Sequence, residues 1–546
     1  MLETLRTQIF VGRDQTAQVL EGKNACNVLT LSDPQLKPTP DGRLRFIARM
    51  ESRSGTPLTK GRCLPLFAWD GKLEAIQTPI LANDGRSIRF RVDESRALDA
   101  QGEPSTAPGV IFGWVRKKVH PRLESAHFDL DLRLREPLQV LAEAANDAPA
   151  WEPASVRAQQ VKIRQAGLEV ALALPSATPQ SPETKASVDP EDIESLERWR
   201  RDWQALDAFL TWLVLKSASD ATAAEQHALF DALVVSRRTL SRTLAEGDFE
   251  PIAAAVLSVA LGALEPTLLA IANRQPARSA DDIGKILFVL SQFARSDPVA
   301  SYAVNAETLK RVLQLGEGTL ELSALVYTTD INPELRRLAG FAAQFPLAEA
   351  AQSPLPVLEW LLPSVHASPQ FDPLLVQKLN GWVADSTERD AFHRDVDTLL
   401  RSLATSLGGN ANRDSTLVVL RAVAWEASCW RQFRMEGGRV QPTRGSYGEL
   451  GILRLDPVVS RGLHDPHGLS WDIGYNLRAG AEWLRRESAR FPVSGNAEQA
   501  ADLYLSYRGK TGGDSKNVRI EKARFIASYR HFQSVGSTPP PVCETP

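Results

Sequence analysis

Apolar and polar residues alternate through the first part of the chain, then give way near residue 193 to apolar stripes at three- and four-residue spacing. In Arg43–Met50, Leu44, Phe46, Ala48 and Met50 alternate with Arg43, Arg45 and Arg49, which puts the apolar side chains on one face of an extended segment. Ile88-Arg89-Phe90-Arg91-Val92 repeats the pattern, and Phe128–Arg135 carries it furthest. Each is predicted to be a half-buried antiparallel strand. Pro40-Asp41-Gly42, Trp69-Asp70-Gly71 and Asn83-Asp84-Gly85 read as turns, because their residues tolerate left-handed backbone. Residues 1–145 are therefore expected to form an antiparallel β domain, either a sandwich or a curved sheet wrapped around a helix. Its apolar inner face is a candidate surface for a protein or lipid partner. Pro175-Ser176-Ala177-Thr178-Pro179-Gln180-Ser181-Pro182 marks 146–192 as a linker, with one further strand at Gly167–Leu174.

Over 193–410 the period is helical. Trp199, Trp203, Leu206, Phe209, Leu210 and Leu213 recur at three- and four-residue steps, as do Leu229, Leu233, Leu240 and Leu244. Asp282–Arg295, Ala306–Leu315, Pro333–Phe345 and Asp390–Leu407 follow, separated by Pro or Gly breaks. An all-helical array results, without a fixed-period repeat, whose expected role is a platform for an extended ligand or partner. The most apolar run, Ile252–Leu264, stops at Glu265-Pro266, well short of the roughly 20 residues that span a bilayer, so a buried helix is predicted and no transmembrane segment. Residues 411–533 read as a small helical domain with a groove. Its helices are Thr416–Phe433, ended by Gly437-Gly438, then Trp471–Arg486, Ala497–Tyr507 and Ile520–Phe532. Residues 534–546 read as a disordered tail. The expected fold class is multidomain α+β: an N-terminal antiparallel β domain, a central all-α helical array and a C-terminal α domain.

Composition narrows the function classes. A chain of 546 residues implies about three domains at roughly 150 residues each. With 63 basic against 66 acidic residues and a net charge of −3, no global field attracts nucleic acid or an anionic membrane. Cys26, Cys63, Cys429 and Cys543 form no Cys-x-x-Cys or Cys/His cluster. Cys26 and Cys63 share the β-rich region, and pairing in an oxidising compartment and two free thiols are equally open. The opening Met-Leu-Glu-Thr-Leu-Arg has no charged, apolar leader pattern, so the sequence is expected to be cytosolic or a mature form with a new Met.

Candidate chemistry is concentrated near the C-terminus. Ser428-Cys429-Trp430-Arg431-Gln432-Phe433 follows an apolar helix. Next come Gly445-Ser446-Tyr447-Gly448-Glu449-Leu450-Gly451-Ile452, then Tyr475-Asn476-Leu477-Arg478-Ala479-Gly480, then Tyr507-Arg508-Gly509. In this order the four segments resemble the motifs of the soluble lytic transglycosylases, goose-type-lysozyme-like enzymes that cleave peptidoglycan glycan strands. The first resembles Glu-Ser-x-Trp/Phe, the second Gly-x-x-Gly-Leu-Met-Gln-Ile, the third Tyr-Asn before Gly, and the fourth Tyr-x-Gly. The resemblance covers about the last fifth of the chain. It implies a lysozyme-like domain, no cofactor and no metal, and a periplasmic or secreted location whose export signal is not visible. It also implies a single Glu that protonates the glycosidic oxygen between MurNAc and GlcNAc. That Glu then deprotonates the muramic C6 hydroxyl, closing a 1,6-anhydro ring. Such an acid needs a raised pKa, for which burial among Trp425, Trp430 and apolar neighbours would serve.

The register puts this Glu at position 427, where the chain has Ala427. Glu426 is the acid only in a register slipped by one, which spoils the spacing to Trp430. The sequence thus reads as a transglycosylase inactivated at Ala427, by natural loss or by deliberate replacement. The retained Ser428, Tyr475 and Asn476 favour replacement. A glycan-binding or scaffold protein without activity is the alternative. Expected substrate contacts are Ser428, Ser446, Tyr447, Glu449, Tyr475, Asn476 and Tyr507, although Glu449 is more readily read as a solvent-facing loop carboxylate. Gly451 stands where the family has Gln, which removes a sugar contact. His464-Asp465-Pro466-His467 reads as a turn rather than a metal clip.

Overall fold

A computed structural model describes residues 8–10, 16–21, 26–58, 63–105, 109–144, 156–164, 167–173, 193–246, 252–272, 274, 277–294, 304–316, 322–345, 371–491, 495–510, 515–540 and 543. The Pro-rich run 175–182 lies outside them. The fold is mixed α+β, an antiparallel half-barrel sheet followed mostly by helices. The chain divides into two compact units that interleave along the sequence. The first comprises 1–185 and 265–321, the second 186–264 and 322–546.

In the first unit six strands pair antiparallel in sequence order: β1 (Ala17–Glu21), β2 (Val28–Pro38), β3 (Leu44–Pro57), β4 (Cys63–Leu81), β5 (Ser87–Leu98) and β6 (His127–Asp129). The expected alternation is realised in β3, where Leu44, Phe46, Ala48 and Met50 are buried while Arg49 is exposed. Of the two architectures open to this region, the curved sheet around a helix is the one found. Ile111, Val115, Val119 and Leu123, at four-residue steps along consecutive helical stretches, fill the sheet's inner face with Phe46, Ala48 and Met50. Gly42 and Gly85 take φ +76° and +68° in the expected turns.

Two expectations fail here. Trp69-Asp70-Gly71 is strand interior, with Asp70 opposite Glu51 and Gly71 opposite Met50. Gly71 is needed there because a Cβ would lie 2.5 Å from Leu98 O and 2.6 Å from the Trp69 ring. Phe128–Arg135 keeps only β6 as strand, and Leu130–Ala144 is a helix. That helix buries Leu130, Leu138, Leu141 and Ala144 and leaves Leu132 65% exposed. Lys285 of helix Ala277–Ala294 pairs with Glu136 at 2.8 Å, and Arg311 of helix Ala306–Gln314 pairs with Glu143. Helical contact with residues beyond 265 thus overrides the local period. A hairpin of β7 (Arg157–Arg164) and β8 (Gly167–Ala173) lies within the expected linker and packs Ala158 and Val170 beside Ile88 and Phe90.

Helix Ile252–Ala272 runs through Pro266 instead of stopping before it. Its window Ala255–Ala272 has the length and apolar content of a membrane span. Val256, Leu257, Ala260, Leu264, Leu268 and Ile271 are buried, the one-sided stripe of a core helix.

Among the described residues, the regular elements of the second unit are helices apart from a short hairpin, β9 (Phe433–Glu436) and β10 (Arg439–Pro442). Gly437-Gly438, expected to end a helix, form its turn at φ +56° and +75°. Helix assignment is continuous over Arg389–Ser428, yet Arg421 Nε donates to Asp397 Oδ1 at 2.7 Å. A straight helix would hold residues that far apart in sequence about 36 Å from each other, so the segment folds back between them. The two expected helices on either side are its two arms. The second arm stops at Ser428, because Cys429 and Trp430 turn left-handed at φ 56° and 61°. Helices Ile193–Ala218 and Ala223–Glu246 are tied to the C-terminal segment by one buried carboxylate. Asp207 pairs with Arg237 at 2.9 Å and with Arg461. The chain end is also anchored: helix Lys516–Val535 extends into the expected tail, and Cys543 is bonded to Cys429.

Candidate active-site cleft

The centre of the candidate site is a four-residue reversal, Gly451–Arg454, closed by paired backbone bonds between Leu450 and Leu455 of 2.8 and 3.0 Å. Gly451 has φ +75°, and a Cβ there would lie 2.3 Å from Asn476 Nδ2 and 2.6 Å from Gln432 Oε1. No side chain fits this position in the observed packing, so glycine at 451 is built into the turn. Helix Ile473–Ser488 supplies Asn476, which is fully buried. It accepts from Leu453 N at 3.0 Å and donates to Leu450 O and Leu469 O at 2.9 Å each. Gln432 accepts from Ile452 N at 2.8 Å and donates to Leu469 O at 3.0 Å and Ser470 O at 2.8 Å. Ser428 Oγ donates to Ile452 O at 2.7 Å, and Tyr507 Oη to Leu453 O at 2.7 Å. Segments distant in sequence thus converge on one turn and satisfy its backbone.

One wall of a cleft of about 570 Å³ is this turn, and all of its lining belongs to the second unit. Arg238, Ser241, Tyr447, Glu449, Arg454, Asp456, Tyr507 and Arg508 line it. Glu449 is 6% exposed, contrary to the solvent-facing expectation. The turn Gly445–Glu449 folds back, with Gly445 N donating to Glu449 O at 2.8 Å. The Glu449 carboxylate accepts from Tyr447 N at 2.9 Å and pairs with Arg508 at 2.9 Å. Asp456 accepts from Val458 N at 2.8 Å. Its burial, with Glu449 adding a like charge, pushes its carboxyl above the ordinary range.

The expected site residues separate into three groups. Tyr447, Glu449 and Tyr507 line the cleft. Ser428 and Asn476 support its wall, with their polar atoms bonded to backbone. The others lie elsewhere. Ser446 is exposed on the turn. Tyr475 accepts from Asp465 N at 2.7 Å beside Phe345, and burial pushes its hydroxyl up to about 12. Ala427 is 1% exposed. Glu426 is 9% exposed, accepting from Ser528 Oγ at 2.6 Å and pairing with Arg524 at 3.0 Å on helix Lys516–Val535. This carboxylate is used to dock one helix on another.

Sequence reasoning missed Gln432, Arg454 and Asp456. Gln432 is adjacent to the first motif, but nothing in its spacing distinguishes a turn-holding Gln from a surface one. Asp465-Pro466 is a helix start, with Asp465 capping Pro466–Trp471 through bonds to His467 N and Gly468 N. No cluster of three His, Cys, Asp or Glu suited to a metal occurs among the described residues. Comparison of the chain with protein-family models, with characterised proteins and with solved structures gives no match.

Proposed function

We propose that this protein is a peptidoglycan lytic transglycosylase by descent, with a lysozyme-like C-terminal domain, that holds glycan strands in its cleft and does not cleave them because Ala427, buried next to the wall-supporting Ser428 and not lining the cleft, stands in place of the acid. The observation that carries this reading is the convergence of three motif segments, chosen on sequence, on the turn 450–455, which the remaining segment, Gly445–Ile452, itself begins. Ser428, Gln432, Asn476 and Tyr507 each bond its backbone, and Ala427 immediately precedes Ser428. Proton donation by a single carboxyl is the core of the chemistry the resemblance implies. Neither neighbouring Glu is free for it, since Glu426 is engaged by Arg524 and Ser528, and Glu449 by Arg508. Two disulfides, Cys26–Cys63 and Cys429–Cys543, support an oxidising location such as the periplasm or the exterior.

Purified sacculi test the reading. The unchanged chain is expected to sediment with sacculi and release no 1,6-anhydromuropeptides by mass spectrometry. Ala427→Glu is expected to release them, and an equally well folded Ala427→Gln is not. Cleavage by the unchanged chain that is lost in Glu426→Gln would show the register to be wrong by one. Binding without products from Ala427→Glu would favour the scaffold alternative, and no binding by any form would overturn the glycan reading.

A further inference from the structure

Five arginines are buried among the described residues, and four of them have a carboxylate partner. Arg237 and Arg461 share Asp207, Arg336 pairs with Glu482, and Arg421 pairs with Asp397. Arg454 is the exception. It is 7% exposed and lines the cleft, its Nε has no hydrogen-bond partner, and no ion pair reaches its guanidinium among the described residues. The nearest obvious counter-ion, Glu449, is taken by Arg508. A buried, unpaired guanidinium is costly. Its backbone adds strain, because Arg454 has φ 46°, a left-handed conformation that non-glycine residues disfavour. A charge kept where both its environment and its backbone oppose it points to a ligand that supplies the missing partner.

The rest of the cleft has the same sign. Five cationic side chains line it against three carboxylates. Two of those carboxylates are already committed, Glu449 to Arg508 and Glu521 to Lys510. The third, Asp456, is pushed toward its neutral form by burial. Burial, with Arg508 adding a like charge, also holds the Arg454 guanidinium below its ordinary range, as expected of a cation awaiting its counter-ion.

We propose that the cleft is an anion-binding site in which Arg454 receives the oxygens of a carboxylate or phosphate group. A planar guanidinium binds either group through two parallel N–H···O bonds. Such a site does not require the glycan reading. If that reading holds, the lactyl carboxylate of muramic acid is the anion, and the cleft distinguishes muramic acid from glucosamine residues.

Calorimetric titration of the full chain in a low-salt Tris buffer tests this with three probes: N-acetylmuramic acid, N-acetylglucosamine and inorganic phosphate. The two sugars differ only in the lactyl ether, which carries the carboxylate. The full chain is expected to bind N-acetylmuramic acid or phosphate at least about tenfold more tightly than N-acetylglucosamine, a difference one charged hydrogen-bonded contact supplies. Arg454→Met is expected to lose that preference, Arg454→Lys to retain part of it. Without ligand, Arg454→Met should melt higher than the unchanged chain, because it removes an unpaired buried charge; this confirms folding independently of binding. A preference for N-acetylmuramic acid over both other probes supports the anion site and the glycan reading together. Binding of phosphate with no discrimination between the sugars supports the anion site and counts against the glycan reading. No anion binding, or anion binding unaltered in Arg454→Met, overturns the proposal.

Discussion

At the scale of single residues, the second unit places several titratable groups where their charged forms are disfavoured, and His464 has the most direct consequence. It is fully buried between the rings of Phe341 and Phe345, at 5.8 and 5.0 Å. Its Nε2 lies 2.9 Å from Glu482 while Nδ1 has no partner among the described residues. The neutral tautomer with its proton on Nε2 donates to Glu482; adding a second proton would put an unpaired N–H among aromatic rings. Burial accordingly holds the imidazole below its ordinary range in spite of the carboxylate, with Arg336 opposing protonation as well. The folded state therefore binds fewer protons than the unfolded state as pH drops through about 6.5, and stability is lost toward acid. Melting temperature is expected to fall between pH 7.5 and 5, and His464→Gln, which still donates to Glu482, should flatten that dependence. Equal slopes for the two proteins would assign the acid sensitivity to other groups. Nothing in His464-Asp465-Pro466-His467 as a string signals this environment, because it comes from Glu482, 18 positions on, and from Phe341 and Phe345, which are far away in sequence.

At the scale of elements, the turn 450–455 depends on neighbours that have no freedom to adjust. Asn476→Ala leaves Leu453 N, Leu450 O and Leu469 O without their side-chain partner, and is expected to cost about 3 kcal/mol. Gly451→Ala forces a methyl against Asn476 and Gln432 at a left-handed φ, with an expected cost of similar size, about 3 kcal/mol. The two changes meet at the same atoms, so they should not add. Removing the Asn476 amide makes room for the methyl, and the double variant should lose at least about 1 kcal/mol less than the sum in urea unfolding. Additivity would mean that Asn476 and Gly451 do not share this contact. That Asn476 lies on a helix and requires a polar partner was legible from sequence, since Asn is a poor helix former. The role was not, because a satisfied buried Asn and a ligand-facing Asn have the same local sequence. Strand patterning was equally two-sided. Alternation identified β3, whose partners β2 and β4 are close in the chain, and misled at Leu130–Ala144, whose partner helices begin more than a hundred residues later.

At the scale of the whole chain, reading in sequence order cannot anticipate that residues 265–321 return to the first unit while 193–264 belong to the second. The contacts responsible are individually plain once seen: Lys285 and Arg311 on Glu136 and Glu143 in one unit, and Asp207 between Arg237 and Arg461 in the other. Each unit also contains one disulfide, and the second closes the longer ring. Cys429 and Cys543 are 114 positions apart with Cα atoms at 5.8 Å. This bond fastens the chain end to the left-handed reversal after Ser428, where Trp430 stacks on Phe532 at 5.5 Å. A ring of this size restricts the unfolded chain enough to be worth about 2–4 kcal/mol. Cys543→Ser should lower the urea midpoint of the second unit accordingly, monitored through tryptophan fluorescence, and should expose helix Lys516–Val535 to proteolysis first. Loss of that helix would also free the Glu426 carboxylate from Arg524 and Ser528. Alkylation of the unreduced protein followed by mass spectrometry gives the decisive control: labelled thiols at Cys429 and Cys543 would remove the bond and this account of how the chain end is held.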